Sequence, residues 1–322
     1  MIATHGRSFW IMFNMDMLRQ LTPQVAESEV HLFDPVDPVR GIDRGAEVFY
    51  YLTEEVDSLT IEFLDGAGNA IQTYTSSSND GPEPEMDDFA RFFGGGASKP
   101  PRTAGSNSFS WNMRYPGYTD FDGRIFWAAG NMGPAAVPGT YQVRLTADGV
   151  TQTQEFEVKL DPRLERITIA DLQARFDLAL SIRDRVSEAN QAVLDIRSIK
   201  GDVDDRLGQT DDSDIHSQGA VVKDGLSGVE QEIYQVRNRS GQDPLNFPIK
   251  LNNKLAALMG VVESGENRPT DQSSAVFDHL SNLLQTELIR MNVIIEQDLQ
   301  RLNELLREAN LEPIQTERPI SD

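Results

Sequence analysis

The chain changes its hydrophobic rhythm once along its length. Up to about residue 160, apolar and polar positions alternate with a period of two in short runs, the pattern of half-buried strands. Beyond that point apolar residues recur every third or fourth position, the pattern of helices that bury one face. "EVFYYL", "SLTIEFLD" and "AIQTYTS" alternate in this way. The Gly-rich turn "DGAGN" between the last two predicts a β-hairpin with Leu59, Ile61 and Phe63 on one face. Strands resume in "SFSWNMRY", and "PGTYQVRLTADGVTQTQEFEVKL" predicts two more around an Asp-Gly turn. Tyr141, Val143 and Leu145 alternate in the first of these, and Phe156, Val158 and Leu160 in the second. Short strands at this spacing predict an immunoglobulin-like β-sandwich over residues 46–160.

Asp161-Pro162-Arg163 closes the strand region. Apolar residues at 169, 172, 176, 179, 182, 186, 189, 193, 196 and 199 then predict one long amphipathic helix. Val222, Leu226, Val229, Ile233 and Val236 predict a second, and Leu251, Leu255, Leu258 and Val262 a third. The fourth runs through Phe277, Leu280, Leu284, Leu288, Met291, Ile295, Leu302 and Leu305 to about Ala309, before Pro313. Narrow stripes repeating near every 3.5 residues predict an antiparallel helical bundle over 161–312, with 313–322 as a tail.

Three stretches escape both rhythms. "MIATHGRSFWIMF" predicts an extended run over residues 2–13, yet no short turn joins it to a hairpin partner in the residues that follow. In residues 14–45, Pro23, Pro35 and Pro38 predict a linker in place of regular elements. Residues 76–107 are rich in Gly, Pro and Ser and predict a mobile insertion whose Phe89, Phe92 and Phe93 dock it on the body beneath.

Composition narrows the function more by exclusion than by indication. At 322 residues with 39% hydrophobic and 25% charged, the chain is long enough for two or three domains with sizeable cores. The net charge of −22, spread evenly over the two halves, opposes nucleic acid and anionic membrane as partners. The absence of cysteine removes disulfides, thiolate nucleophiles and cysteine metal sites. No apolar run reaches the roughly 18 residues of a membrane span. "FWIMFNM" lacks a small-residue cleavage site, so no export signal is read in the sequence as given.

Candidate chemistry is sparse. His5, His31, His216 and His279 show no metal-ligand spacing, and neither a Gly-x-Ser-x-Gly elbow nor a phosphate loop occurs. The acidic run "GDVDDRLGQTDDSD" fails the calcium-loop pattern: from Asp202 the sixth and twelfth positions are Leu207 and Ser213, where Gly and Glu are needed. It reads as a solvated loop, and neither metal nor cofactor is expected. In "YTDFDGRIFW", Asp120 and Asp122 are the carboxylate pair a glycosidase would need. Trp111, Tyr115, Tyr118, Phe121, Phe126 and Trp127 crowd the same region. Trp111 and Trp127 are expected in the sandwich core, and Tyr115 and Tyr118, beside Pro116 and Gly117, are expected to make surface contact with a carbohydrate or a partner protein.

Taken in order, these segments carry a resemblance. "ATHGRSFWI" resembles the closing strand of the last blade in bacterial sortilin-like, neuraminidase-repeat β-propeller proteins of the type labelled glycosyl hydrolases. "LRQLTPQVAESEVHLFDP" resembles the linker after that propeller, and "FSWNMRYPG…PGTYQVRLTADG…FEVKLDPR" its Ig-like module, which is also similar to that of the flagellar hook-capping protein. "LNFPIKLNNKLAALMGVVESGENRPT" resembles the helical region that comes last. The resemblance implies that residues 1–13 are a blade remnant whose propeller is absent from this chain. It implies an exported, periplasmic or extracellular setting, and a non-catalytic accessory region that supports the propeller or binds a protein or glycan partner. No Ser-x-Asp-x-Gly-x-Thr-Trp aspartate box is present, and no catalytic residue of the family transfers to a position here. A glycoside hydrolase acting on carbohydrate through Asp120 or Asp122, and a stand-alone adhesion or scaffold protein, are the alternatives.

Overall fold

The structure is a computed structural model, and it describes residues 2–3, 9–10, 15–80 and 99–316. The chain divides into two compact units, Met1–Pro116 with Ala135–Ile169, and Gly117–Pro134 with Ala170–Asp322. The first unit is built of antiparallel sheet and the second of helices.

In the first unit, β1 (Ile2–Ala3) pairs antiparallel with β2 (Phe9–Trp10). Of the opening run, the described residues Ile2–Ala3 and Phe9–Trp10 are therefore each other's neighbours, which the sequence did not lead one to expect. Helices α1 (Met15–Gln20) and α2 (Pro23–Glu27) follow, then strand β3 (Val30–Leu32). The proline-rich stretch was expected to hold no regular element, and this is corrected. Pro23 occupies the first turn of α2, where a missing N–H costs nothing, and Thr22 caps the helix by accepting from the Val25 N–H.

One sheet has the order β3, β4 (Ala46–Leu52), β7 (Gly105–Trp111). The other has the order β6 (Ala70–Ser77), β5 (Ser58–Asp65), β8 (Gly139–Ala147), β9 (Val150–Val158). Period-two alternation turns one face of each strand inward: Val48, Tyr50 and Leu52 from the first sheet meet Leu59, Ile61, Phe63, Val143 and Leu145 from the second in one hydrophobic core. Trp111 is fully buried there, stacked on Phe63 at 5.1 Å and edge-on to Phe156 at 6.4 Å. Gln152 on β9 crosses to β3, accepting from the Leu32 N–H at 2.8 Å and donating to the Val30 carbonyl at 2.9 Å. A side-chain amide thus satisfies backbone groups at the edge of the three-stranded sheet. Of the expected insertion at 76–107, β6 extends to Ser77 and β7 begins at Gly105; Phe89, Phe92 and Phe93 lie outside the described residues.

The second unit follows the helical periodicity closely. Its helices are α3 (Ile169–Leu207), α4 (Ser213–Ile233), α5 (Leu251–Val262) and α6 (Asp271–Val293). From α6 the helix passes through a π-helical turn at Ile294–Leu299 into α7 (Gln300–Glu308). Much of the acidic run is helix, because α3 continues to Leu207. Asp212 caps α4, accepting from the N–H groups of Asp214 and Ile215, and Lys223 pairs with Asp204. Among the described residues no group of carboxylates and histidines could hold a metal ion, and no helix is long and apolar enough to cross a membrane.

Two buried charge clusters fix the helices. Arg175 on α3, 2% exposed, binds the Gly265 carbonyl, Glu266 at 3.1 Å and Glu263 at 3.7 Å. It ties the start of the longest helix to the turn between α5 and α6. Glu230 on α4 accepts from Arg197 at 2.8 Å and Lys200 at 3.2 Å, both on α3. Gly219, Gly225 and Gly228 on α4 sit against Leu207, Ile294 and Arg290, where a Cβ would press on those side chains.

Candidate functional site

Residues 117–134, which carry most of the aromatic and acidic residues singled out by the sequence, belong with the helices and not with the strands that flank them in the chain. Their apolar side chains explain the allegiance. Tyr118 and Phe121 are buried in the hydrophobic core of the helical unit, and Phe126 packs against it. Phe121 meets Tyr234 edge-to-face at 5.1 Å, and the Arg197 guanidinium lies over both rings, at 5.0 and 5.4 Å.

Buried amides then hold the backbone of the segment. Asn253 on α5 accepts from the Trp127 N–H at 2.7 Å and donates to the Trp127 carbonyl at 2.9 Å. Asn190 on α3 donates to the Thr119 carbonyl at 2.7 Å and accepts from Asn252 at 3.0 Å. Ser187 accepts from the Thr119 N–H at 3.0 Å, and the Tyr234 hydroxyl from the Ile125 N–H at 3.1 Å. Within the segment, Asn131 clamps both backbone groups of Tyr118, at 2.8 and 2.9 Å. An irregular segment has no ladder of its own, so these side chains supply the partners that its buried N–H and C=O groups require.

The predicted site residues are dispersed by this arrangement. Tyr118 is 3% exposed and its hydroxyl donates to the Gly130 carbonyl, so the expectation of surface contact there is corrected. Tyr115 belongs to the sheet unit, half-buried against its core, where burial pushes its hydroxyl pKa up. The two tyrosines therefore do not make one cluster within either unit. Asp120 accepts from Arg124 through both carboxylate oxygens and from the Phe121 N–H at 2.8 Å. The Arg124 guanidinium, in turn, lies 4.2 Å from the Phe126 ring centre. This pairing with Arg124 holds the Asp120 carboxyl below its ordinary range, against a smaller opposing effect of burial. Asp122 is exposed, in the turn where Gly123 takes a φ of 75°. Trp111 fills the sheet core as expected, but Trp127 does not: it lies in the other unit and is 42% exposed.

The asparagines were missed in the sequence, although one signal was present. In "LNNKLAAL" two adjacent amides fall on α5 among the apolar positions Leu251, Leu255 and Leu258, and Asn252 and Asn253 are both buried. A buried amide inside a helix must find a partner outside the helix ladder.

Comparison with known proteins adds no family. No family model matches the chain, and no curated protein matches it. Among solved structures, CopC from Methylosinus trichosporium OB3b aligns with 16% identity over 42% of this chain and 98% of its own, with a TM-score of 0.21. An engineered protein aligns with 16% identity over 41% of this chain and 19% of its own, with a TM-score of 0.19. Neither likeness carries an argument at those scores.

Proposed function

We propose that this chain is a non-catalytic accessory and interaction module made of an immunoglobulin-like β-sandwich and an antiparallel helical bundle, the bundle carrying the aromatic segment 117–134. In the bacterial sortilin-like, neuraminidase-repeat proteins that the sequence resembles, such a region follows a β-propeller in an exported protein, and support of a propeller or binding of a partner is the role proposed here. The observation that carries the reading is the commitment of Asp120 to Arg124. A glycosidase acid must hold a proton near neutral pH, which requires a raised pKa; Arg124 lowers that of Asp120 and keeps it anionic. The remaining functional groups of the segment are spent on fastening it: the Tyr118 hydroxyl, the Asn131 amide and the Arg124 guanidinium all bond within it.

The test is hydrolysis of a panel of chromogenic glycosides by the purified chain. No turnover is expected. Turnover abolished by Asp120→Asn or Asp122→Asn, in a variant that still unfolds cooperatively, overturns the reading in favour of a glycoside hydrolase.

A further inference from the structure

We propose that the sheet unit carries a binding cleft for a small organic cation, an amine or guanidinium borne on an apolar body. The site lies apart from segment 117–134 and does not rest on the role given to that segment. A cleft of about 640 Å³ is lined by α1, by the chain leaving β3 and by the loop entering β4. Small-molecule sites occupy about 300–1,000 Å³, so the cleft has the size of one. Phe33 and Phe49 line it from the three-stranded sheet and its margin, and Val36 and Ile42 line it from the loops. Val36 is 54% exposed and Ile42 50% exposed, although both are large and apolar. Their meeting on one cleft leaves apolar surface for a ligand to cover.

The walls are fixed before any ligand arrives. Gln20, at the end of α1, accepts from the Asp34 N–H at 2.8 Å and donates to the Asp34 carbonyl at 3.0 Å. That clamp ties the helix to the chain beyond β3. Asp43 accepts from the Val39 N–H at 2.6 Å, and its own N–H donates to the Val39 carbonyl at 2.9 Å, closing the turn that carries Ile42. Asp37 accepts from the Glu157 N–H at 2.8 Å and from Lys159 at 2.7 Å, which fastens the loop to the end of β9. A ligand entering such a cleft has little protein to order, so less of its contact energy is lost.

The charge of the lining itself selects the ligand. Asp16, Asp34, Asp37, Asp43 and Glu47 line the cleft against a single cation, Arg44. Asp16 pairs with Arg19 and Asp37 with Lys159, whereas Asp34 and Asp43 have no ion-pair partner among the described residues. These two carboxylates are the groups left to receive an ammonium or guanidinium, and the cation can also rest on the Phe49 ring. The apolar body of the ligand then covers Val36 and Ile42. Arg44 favours a ligand that also carries a carboxylate, so a zwitterion is the rival occupant.

The experiment uses the full chain with carbon-13 methyl labels and follows the resonances of Val36 and Ile42, assigned by their loss in Val36→Ala and Ile42→Ser. The probes are tryptamine, the zwitterion tryptophan, the anion indole-3-propionate, and putrescine, a cation without an apolar ring. Tryptamine is expected to shift both sets of methyl resonances and to bind more weakly as salt rises. It is expected to bind about tenfold or more tightly than each of the other three. Asp34→Asn combined with Asp43→Asn is expected to weaken tryptamine about tenfold with circular dichroism unchanged, since asparagine still accepts the Val39 N–H. Ile42→Ser leaves the carboxylates in place and is expected to cost severalfold. No shift with tryptamine, equal binding of any other probe, or undiminished affinity in the double variant overturns the proposal. Each of those results leaves the absence of glycoside hydrolysis standing, so the two readings fail separately.

Discussion

Asn253 holds Trp127 by both of its backbone polar groups, with Oδ1 2.7 Å from the amide nitrogen and Nδ2 2.9 Å from the carbonyl oxygen. One side chain does here what a neighbouring strand does in a sheet. Asn131 repeats the device on Tyr118, and Asn303 repeats it on Ile314 beyond α7, at 2.7 and 3.0 Å. Asn253→Ala removes the partners of both groups at once. It is expected to cost about 1–3 kcal/mol, the range for leaving buried polar groups unsatisfied. Urea unfolding read by circular dichroism checks this, and a shift within error of zero would show that water replaces the amide.

Gly117 lies against Asn131, and a Cβ at position 117 would come within 2.8 Å of the Asn131 backbone oxygen while colliding with the Asn131 amide. Gly117→Ala is therefore expected to push the Asn131 clamp off Tyr118 and to lower stability by about 1–3 kcal/mol, the usual range for overpacking. Adding Asn131→Ala relieves the collision with the amide but not the one with the backbone. The double variant should still be less stable than Asn131→Ala alone in thermal unfolding.

Arg175 shows the asymmetry of buried charge. Arg175→Met removes the cation beside Glu263, which is 8% exposed, together with the bond to the Gly265 carbonyl. Breaking a buried pair from one side is expected to cost about 3–5 kcal/mol. Arg175→Met combined with Glu263→Met removes the two most buried charges of the cluster and leaves Glu266, which is 28% exposed, so it should recover part of that loss. A double-mutant cycle in denaturant measures the recovery, and strictly additive losses would contradict the pairing.

The pH dependence of stability has a definite sign. The Asp120 carboxyl is held below its ordinary value of 3.8 by Arg124, so the folded state binds its proton less readily than the unfolded chain does. Its contribution is fully present above that value and is lost as pH falls through the lower, folded-state value. Asp120→Asn should flatten the acid side of the stability curve below about pH 4 and leave that curve's shape at neutral pH unchanged. Unfolding free energies measured across that window decide the matter. An unchanged acid limb would mean that the Arg124 contact is screened away at this partly exposed carboxylate.

The sequence by itself determined the local elements. β5 begins and ends where the alternation of "SLTIEFLD" does, β8 and β9 flank the Asp-Gly turn, and the stripes of α3, α4, α5 and α6 lie where the three-four spacing put them. Each of those elements is set by short-range periodicity and by capping or turn residues, which are written in neighbouring positions. Only the tertiary structure decided the rest. β3 joins a sheet in spite of the prolines around it, because the strand is short and its backbone finds β4 and the Gln152 amide. The fate of "YPGYTDFDGRIFW" could not be read locally, since an aromatic residue fits either core equally well by composition. Long-range partners settled it: Asn190, Asn253 and Tyr234 lie 71, 126 and 109 residues along the chain from the backbone groups they bind. Those bonds bury Tyr118 and leave Trp127 at the surface. Periodicity reports which face of an element is apolar, but which apolar face it meets depends on contacts that only the folded chain brings together.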